Sequence, residues 1–333
     1  SIFKLTLDSS NSGDLEFGNY PGDFKWAGGV LALDGNIYCI PYNSTSILKI
    51  VPGNPPTSSI FGNIIGSEKY VGGTLGPDGN IYCIPYNSTS ILKIIPGINP
   101  QIEYIDLPES IRNGNGKWYG GILGIDGCIY GAPYNSSAIL KIDVLSNTAT
   151  SLGNFGSTLE KWCGGTVAED GFIYLTPYKH TKILQIKSGN PNIMVELNIV
   201  DGLNYYNQSA VLGLDGLSYS FPTSVDIVTK VGGYNGTYKY TFLVNYGVDG
   251  YNQRVWLPYE NNPTDYSNND PINFPAILPD IPKCFYRGSI LAPDNNIYMI
   301  RSDGIIYKYL YNPPSKFQAL PTSYLLSAFL NKL

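Results

Sequence analysis

Residues 34–50 read DGNIYCIPYNSTSILKI, and residues 78–94 repeat that string without a single change. Tandem repetition of this kind constrains the fold more than composition can. One supersecondary unit must stack on copies of itself, each covering a face that its neighbour leaves bare. Residues 126–142 give a third copy, DGCIYGAPYNSSAILKI, and residues 170–186 a fourth, DGFIYLTPYKHTKILQI. Residues 215–231 hold a worn fifth copy, DGLSYSFPTSVDIVTKV, and Asp294 opens a sixth as DNNIYMI. The period is about 45 residues, far longer than a coil of a parallel β-helix, and no 3.6-residue periodicity accompanies it.

Each copy carries the same local grammar. A Gly-Gly or Gly-Ser pair leads into a short apolar run, and an Asp-Gly turn follows, the strongest short signal for a hairpin. Ile-Tyr-x-x-Pro then reads as a strand stopped by a proline that cannot donate to a ladder. After the Tyr-Asn-Ser-Thr turn, Ile-Leu-Lys-Ile alternates as a half-buried strand does. A more variable fourth strand completes the unit, and four strands in such a length make the blade of a β-propeller. The expected fold is therefore all-β, one propeller domain of four-stranded blades over residues 1–333.

The first residues, FKLTLDSSNSGDLEFGNY from Phe3, resemble the outer half of a blade, as in LKIDVLSNTATSLGNF from Leu140. They are expected to join the last blade, closing the ring and removing an exposed sheet edge. Between Asp215 and Asp294 lies a faint further copy at residues 249–259, DGYNQRVWLPY, which favours seven blades over six. The alternative is six blades with a protruding insert at residues 252–282, expected to be a partner-binding loop. A short tail, residues 322–333, ends the chain.

Composition agrees, with 28 Tyr for strands and 37 Gly and 24 Pro for turns. A net charge of −5 argues against a nucleic-acid partner, which would need a basic stripe. No apolar run is long enough to span a membrane as a helix.

The pattern GGxLxxDGxIYxxPYNSTxILKI resembles that of repeat proteins found in protists, bacteria and large DNA viruses. Its outline is similar to NHL-type, virginiamycin-lyase-like and gluconolactonase-like propellers. The resemblance implies the fold and leaves activity open, because folds of this kind host unrelated functions.

Turns after the second strand and the blade-to-blade connections should emerge on one face. That face would gather Trp26, Tyr42, Asn43, Tyr70, Tyr86, Asn87, Trp118, Tyr134, Asn135, Trp162 and Tyr178, beside the lysines that precede Trp26, Tyr70, Trp118 and Trp162. Aromatic surfaces with amide donors suit a glycan, peptide or protein. The competing reading packs these aromatics between blades and lets each Asn cap its own turn. The turn aspartates Asp34, Asp78, Asp126, Asp170 and Asp215 read as hairpin chemistry, and neither a metal nor a cofactor is expected.

The sequons at Asn43, Asn87, Asn135, Asn207 and Asn235 are candidate glycosylation sites, although duplication of one loop explains three of them. Cys39, Cys83, Cys128, Cys163 and Cys284 form no CxxC and read as buried thiols. His180 is the only histidine, a thin basis for nucleophilic catalysis. Outside the turns, Glu169 and Asp201 are the acids that a gluconolactonase-like metal site could use. The expectation is a non-catalytic binding or structural module, extracellular or on a virion or cell surface, with a protein or glycan partner and the capacity to assemble. The alternative is a hydrolase or lyase with its site at the channel mouth.

Overall fold

The computed structural model describes residues 2–4, 15–53 and 55–198. Beyond these it describes the strands at 207–212, 218–222, 227–231, 241–244, 286–291, 297–301 and 306–309. It is a β-propeller. The chain opens with β1 (Ile2–Lys4) and β2 (Leu15–Phe17), which pair antiparallel with Ile2 opposite Phe17. This is the hairpin expected at the N-terminus; a ladder from it to a last blade is not among the described residues.

The first blade is β3 (Trp26–Leu31), β4 (Ile37–Pro41), β5 (Ile47–Val51) and β6 (Thr57–Phe61), in that spatial order. The second is β7 (Tyr70–Leu75), β8 (Ile81–Pro85), β9 (Ser90–Ile95) and β10 (Gln101–Asp106). A short helix, α1 (Glu109–Arg112), precedes the third blade of β11 (Trp118–Leu123), β12 (Ile129–Pro133), β13 (Ile139–Asp143) and β14 (Thr148–Leu152). The fourth comprises β15 (Trp162–Val167), β16 (Phe172–Pro177), β17 (Lys182–Lys187) and β18 (Ile193–Asn198).

A fifth sheet follows as β19 (Asn207–Leu212), β20 (Ser218–Pro222), β21 (Ile227–Val231) and β22 (Thr241–Val244). Three strands are described in the sixth: β23 (Tyr286–Leu291), β24 (Ile297–Arg301) and β25 (Ile306–Tyr309). The inner strands β3, β7, β11, β15, β19 and β23 stand side by side in succession. The seventh hairpin expected at residues 249–259, the insert at 252–282 and the tail at 322–333 lie outside the described residues.

The core sits between blades. Tyr38, Ile40 and Ile47 of the first blade pack with Tyr70, Ile81 and Leu92 of the second. Tyr82, Ile84 and Ile91 meet Trp118, Ile129 and Leu140, and Tyr130 and Ile139 meet Trp162, Ile173 and Leu184. Strands β8 and β12 are buried along their whole length because a blade covers each face. This is why Ile-Tyr-x-x-Pro is apolar on both sides of its pleat.

The Gly-Gly pairs solve a packing problem at the ring centre. Every inner strand is bulged just after its first residue, as between Trp26 and Gly29 or Tyr70 and Gly73. Gly72 and Gly120 lie in these bulges with φ of +73° and +78°. A Cβ on Gly72 would stand 3.1 Å from the Cα of Gly120, and one on Gly120 would stand 3.2 Å from the Cα of Gly164. Inner strands therefore touch backbone to backbone, and only glycine allows both the turn and the approach.

Candidate functional site: a tyrosine rim

Antiparallel connection puts the turns between second and third strands on the same rim as the blade-to-blade linkers. The main chain joins them. Tyr42 N donates to Lys25 O (2.9 Å), Lys69 N to Tyr42 O (3.0 Å) and Tyr86 N to Lys69 O (2.8 Å). The series continues through Lys117 N to Tyr86 O (2.9 Å), Tyr134 N to Lys117 O (3.0 Å), Lys161 N to Tyr134 O (2.9 Å) and Tyr178 N to Lys161 O (2.7 Å). A continuous hydrogen-bonded belt thus crosses three blade junctions.

Three of the four lysines expected on this face are turned inward, Lys25 alone remaining partly exposed. Lys69, Lys117 and Lys161 are buried, and their ammonium groups donate to carbonyls instead of meeting carboxylates. Lys69 Nζ reaches Tyr42 O (3.1 Å), Ser44 O (2.8 Å) and Gly66 O (2.8 Å), so it clasps the previous blade to its own linker. Lys117 Nζ does the same with Ser88 O (2.8 Å) and Gly114 O (3.2 Å), and Lys161 Nζ donates to Thr158 O (2.6 Å). Burial pulls the Lys117 pKa down to about 8.

The asparagines are staples as well. Asn43 Oδ1 accepts from Glu68 N (2.9 Å), Asn87 Oδ1 from Gly116 N (2.7 Å) and Asn135 Oδ1 from Glu160 N (2.9 Å), each in the next blade's linker. Asn87 Nδ2 also donates to Glu68 Oε2 (3.2 Å), and Asn135 Nδ2 to Asn115 O (3.1 Å). Of the other sequons, Asn207 begins β19, and Asn235 lies outside the described residues.

The structure withdraws several aromatics from the surface. Trp118 and Trp162 are wholly buried and Tyr70 is 1% exposed. Trp118 Nε1 donates to Ala138 O (2.8 Å), Trp162 Nε1 to Lys182 O (2.8 Å), and the Tyr70 hydroxyl meets Ser88 Oγ (2.9 Å). These are blade wedges with satisfied polar ends. Trp26 is half-buried, edge-on to Tyr20 at 5.4 Å.

What the rim does bring together is tyrosine. The Tyr42 and Tyr86 rings lie 6.1 Å apart, Tyr86 and Tyr134 6.1 Å, and Tyr134 and Tyr178 5.6 Å. Tyr119 completes a triangle at 6.3 Å from Tyr86 and 5.6 Å from Tyr134. Sequence reasoning missed Tyr119 because it occupies the bulge, where the other blades carry Ala27, Val71 and Cys163. Tyr134 is the deepest at 8% exposed; Tyr42, Tyr86, Tyr119 and Tyr178 keep part of their surface open. Burial, and after it the nearby Glu68 carboxylate, pushes the Tyr42 hydroxyl up to about 12. Burial, then Glu160, raises Tyr134.

The remaining candidates are structural. Asp34, Asp78, Asp126 and Asp170 each accept a backbone N–H two residues on and a tyrosine hydroxyl four residues on, the latter at 2.7–2.9 Å. His180 stacks on Trp162 at 4.3 Å and accepts Lys182 N at Nδ1 (3.3 Å). Cys83 and Cys163 are buried free thiols as expected, whereas Cys39 and Cys128 are free thiols only half-buried; burial raises the pKa of each, and Cys284 lies outside the described residues. Among the described residues no group of three His, Cys, Asp or Glu is placed to hold a metal, and no helix is long and apolar enough to cross a membrane.

No protein-family model matches the chain, and no curated protein does. Solved structures do. A catalytically inactive histidine-to-alanine variant of virginiamycin B lyase from Staphylococcus aureus, with quinupristin, superposes at a TM-score of 0.66 and 15% identity, covering 92% of this chain and 86% of that one. A proposed gluconolactonase gives 0.50 at 9% identity, covering 87% and 92%. The extracellular domain of a proposed hybrid two-component system from B. thetaiotaomicron gives 0.57 at 12%, covering 93% of this chain and 35% of that longer one. At such identities the likeness shows the propeller fold alone.

Proposed function

We propose that this propeller is a non-catalytic binding module whose recognition surface is the tyrosine rim, reading a glycan, peptide or protein partner. The observation that carries this reading is the arc of Tyr42, Tyr86, Tyr119, Tyr134 and Tyr178, spaced 5.6–6.3 Å apart and held by main-chain bonds. Tyrosine offers a rigid flat face and a hydroxyl at little entropic cost, which is why it recurs in binding surfaces. A non-catalytic role is further supported by His180, whose ring and Nδ1 are engaged by Trp162 and Lys182. An extracellular or virion-surface setting belongs to this reading, and the likeness to an extracellular domain supports it.

The test is a glycan array and a displayed peptide library, each probed with the whole chain and with Tyr42→Ala and Tyr86→Ala variants. A ligand read on this rim should lose about tenfold in affinity or more when a central tyrosine is truncated. A ligand bound equally by wild type and both variants would move the site elsewhere. Turnover of a streptogramin or a lactone by the purified chain would return the reading to the lyase or lactonase class.

A further inference from the structure

Resting on the rim as the recognition surface, we propose that its ligand is a peptide segment that presents a lysine side chain, with the ammonium received between Tyr42, Tyr86 and Glu68.

Three independent features converge on this site. On the opposite rim the chain builds the same chemistry internally. Lys49, Lys93 and Lys141 stand over the rings of Tyr38, Tyr82 and Tyr130 at 5.7, 5.8 and 5.4 Å. Two of these lysines also meet the turn carboxylates, Lys93 with Asp78 at 3.8 Å and Lys141 with Asp126 at 3.1 Å. Ammonium, tyrosine face and carboxylate are thus a recurring set in this fold. An ammonium within about 6 Å of a ring centroid is attracted by the ring quadrupole, and a carboxylate adds to that attraction.

The second feature is the position of Glu68. It directly precedes Lys69 in a linker whose backbone is left-handed at this point, with φ of +47° at Phe24, +48° at Glu68, +61° at Gly116 and +58° at Glu160. Glycine takes this conformation without strain, and the third blade uses it. The first blade places Phe24 there, so the position accepts a side chain of either kind, and what sets the second and fourth blades apart is a carboxylate presented at the rim.

The third feature is the contrast between those two glutamates. Glu160 receives the ammonium of Lys179, which stands in the turn position that Asn87 holds in the second blade. The rim therefore already accommodates one lysine on a glutamate. Glu68 receives only neutral donors, the amide of Asn87 at 3.2 Å and the hydroxyl of Tyr42, and among the described residues no lysine or arginine pairs with it. The rings of Tyr42 and Tyr86 are 6.1 Å apart and inclined at 53°, a spacing that lets one ammonium lie within reach of both centroids. No lysine or arginine of the described residues stands over either ring. Charge, aromatic faces and exposure all point to a lysine from outside.

The experiment titrates the whole chain with Nα-acetyl-lysine amide and with the neutral Nα-acetyl-norleucine amide, following the tyrosine ring resonances by NMR. The lysine probe is expected to shift Tyr42 and Tyr86, with affinity about fivefold above the norleucine probe. Glu68→Gln should abolish that preference. Glu68→Gly, which suits the left-handed backbone and so preserves the fold, should abolish it too. A lysine probe that leaves Tyr42 and Tyr86 unmoved overturns the proposal, as does equal affinity for the two probes or an unchanged preference in Glu68→Gln. If array or library ligands still need Tyr42 or Tyr86 in that case, the rim remains the binding surface and only the lysine specificity is lost. If they do not, both readings fall together.

Discussion

Gly72 carries two constraints at once, a φ of +73° and a Cβ position 3.1 Å from the neighbouring Gly120 Cα. Gly156 shares the first, at +72°, with nothing within 4 Å of its Cβ position. The pair separates conformational strain from inter-blade contact. Gly156→Ala should cost about 1 kcal/mol, and Gly72→Ala about 3 kcal/mol, because only the latter must push two inner strands apart. Chemical denaturation of the two variants checks this; equal losses would mean that inner-strand contact contributes nothing. Lys117 makes a parallel case for buried charge. Lys117→Met keeps the stem but leaves Ser88 O and Gly114 O without their donor, so stability should fall by about 2–3 kcal/mol. A neutral outcome in denaturant unfolding would show that those carbonyls find other partners.

At the scale of one blade, the hairpin and its inter-blade arm act as a unit. Asp126 accepts the Tyr130 hydroxyl (2.7 Å), Cys128 N (3.2 Å) and Lys141 Nζ (3.1 Å), while Lys141 also reaches Asn192 Oδ1 (3.1 Å) in the fourth blade. Asp126→Ala should therefore cost about 2 kcal/mol by thermal or denaturant unfolding, most of it from the charged acceptor. The hairpin was legible in the sequence because Asp-Gly and Ile-Tyr-x-x-Pro act through local geometry. The rim was legible in part, since the strand order alone placed Tyr42, Tyr86, Tyr134 and Tyr178 together. The roles of Lys69, Lys117 and Asn87 were not, because a polar residue in a turn looks the same whether it faces water or the next blade's backbone. Tyr119 escaped because a bulge changes which way a residue points, and a repeat pattern does not mark that change when the other copies differ there.

At the scale of the whole molecule, the buried tyrosines among the described residues shape the behaviour at high pH. Burial, first of all causes, raises Tyr38, Tyr42, Tyr70 and Tyr130 from 10.0 to about 12. The folded state thus keeps protons that the unfolded chain releases, so the stabilisation is complete below pH 10 and is lost as pH rises through about 12. Ultraviolet titration should show a late fraction of the phenolate signal, appearing together with loss of the far-ultraviolet β signal. Ionisation of all 28 tyrosines near pH 10 with the fold intact would contradict the buried placement. The ring is also uneven. The residues after Pro222 and Arg301, where the earlier blades have tyrosine, are Thr223 and Ser302, and Tyr206 and Phe285 stand where those blades have lysine. Among the six described blades the aromatic arc accordingly belongs to the first four.

The belt of peptide groups running from Lys25 to Tyr178 has one more consequence. Because backbone atoms set the pitch at which side chains are offered, exchanging a tyrosine for another residue alters what is displayed while leaving the mount untouched. Such a frame can be re-lettered one blade at a time, which is how a duplicated unit could acquire new binding preferences without first solving its folding again.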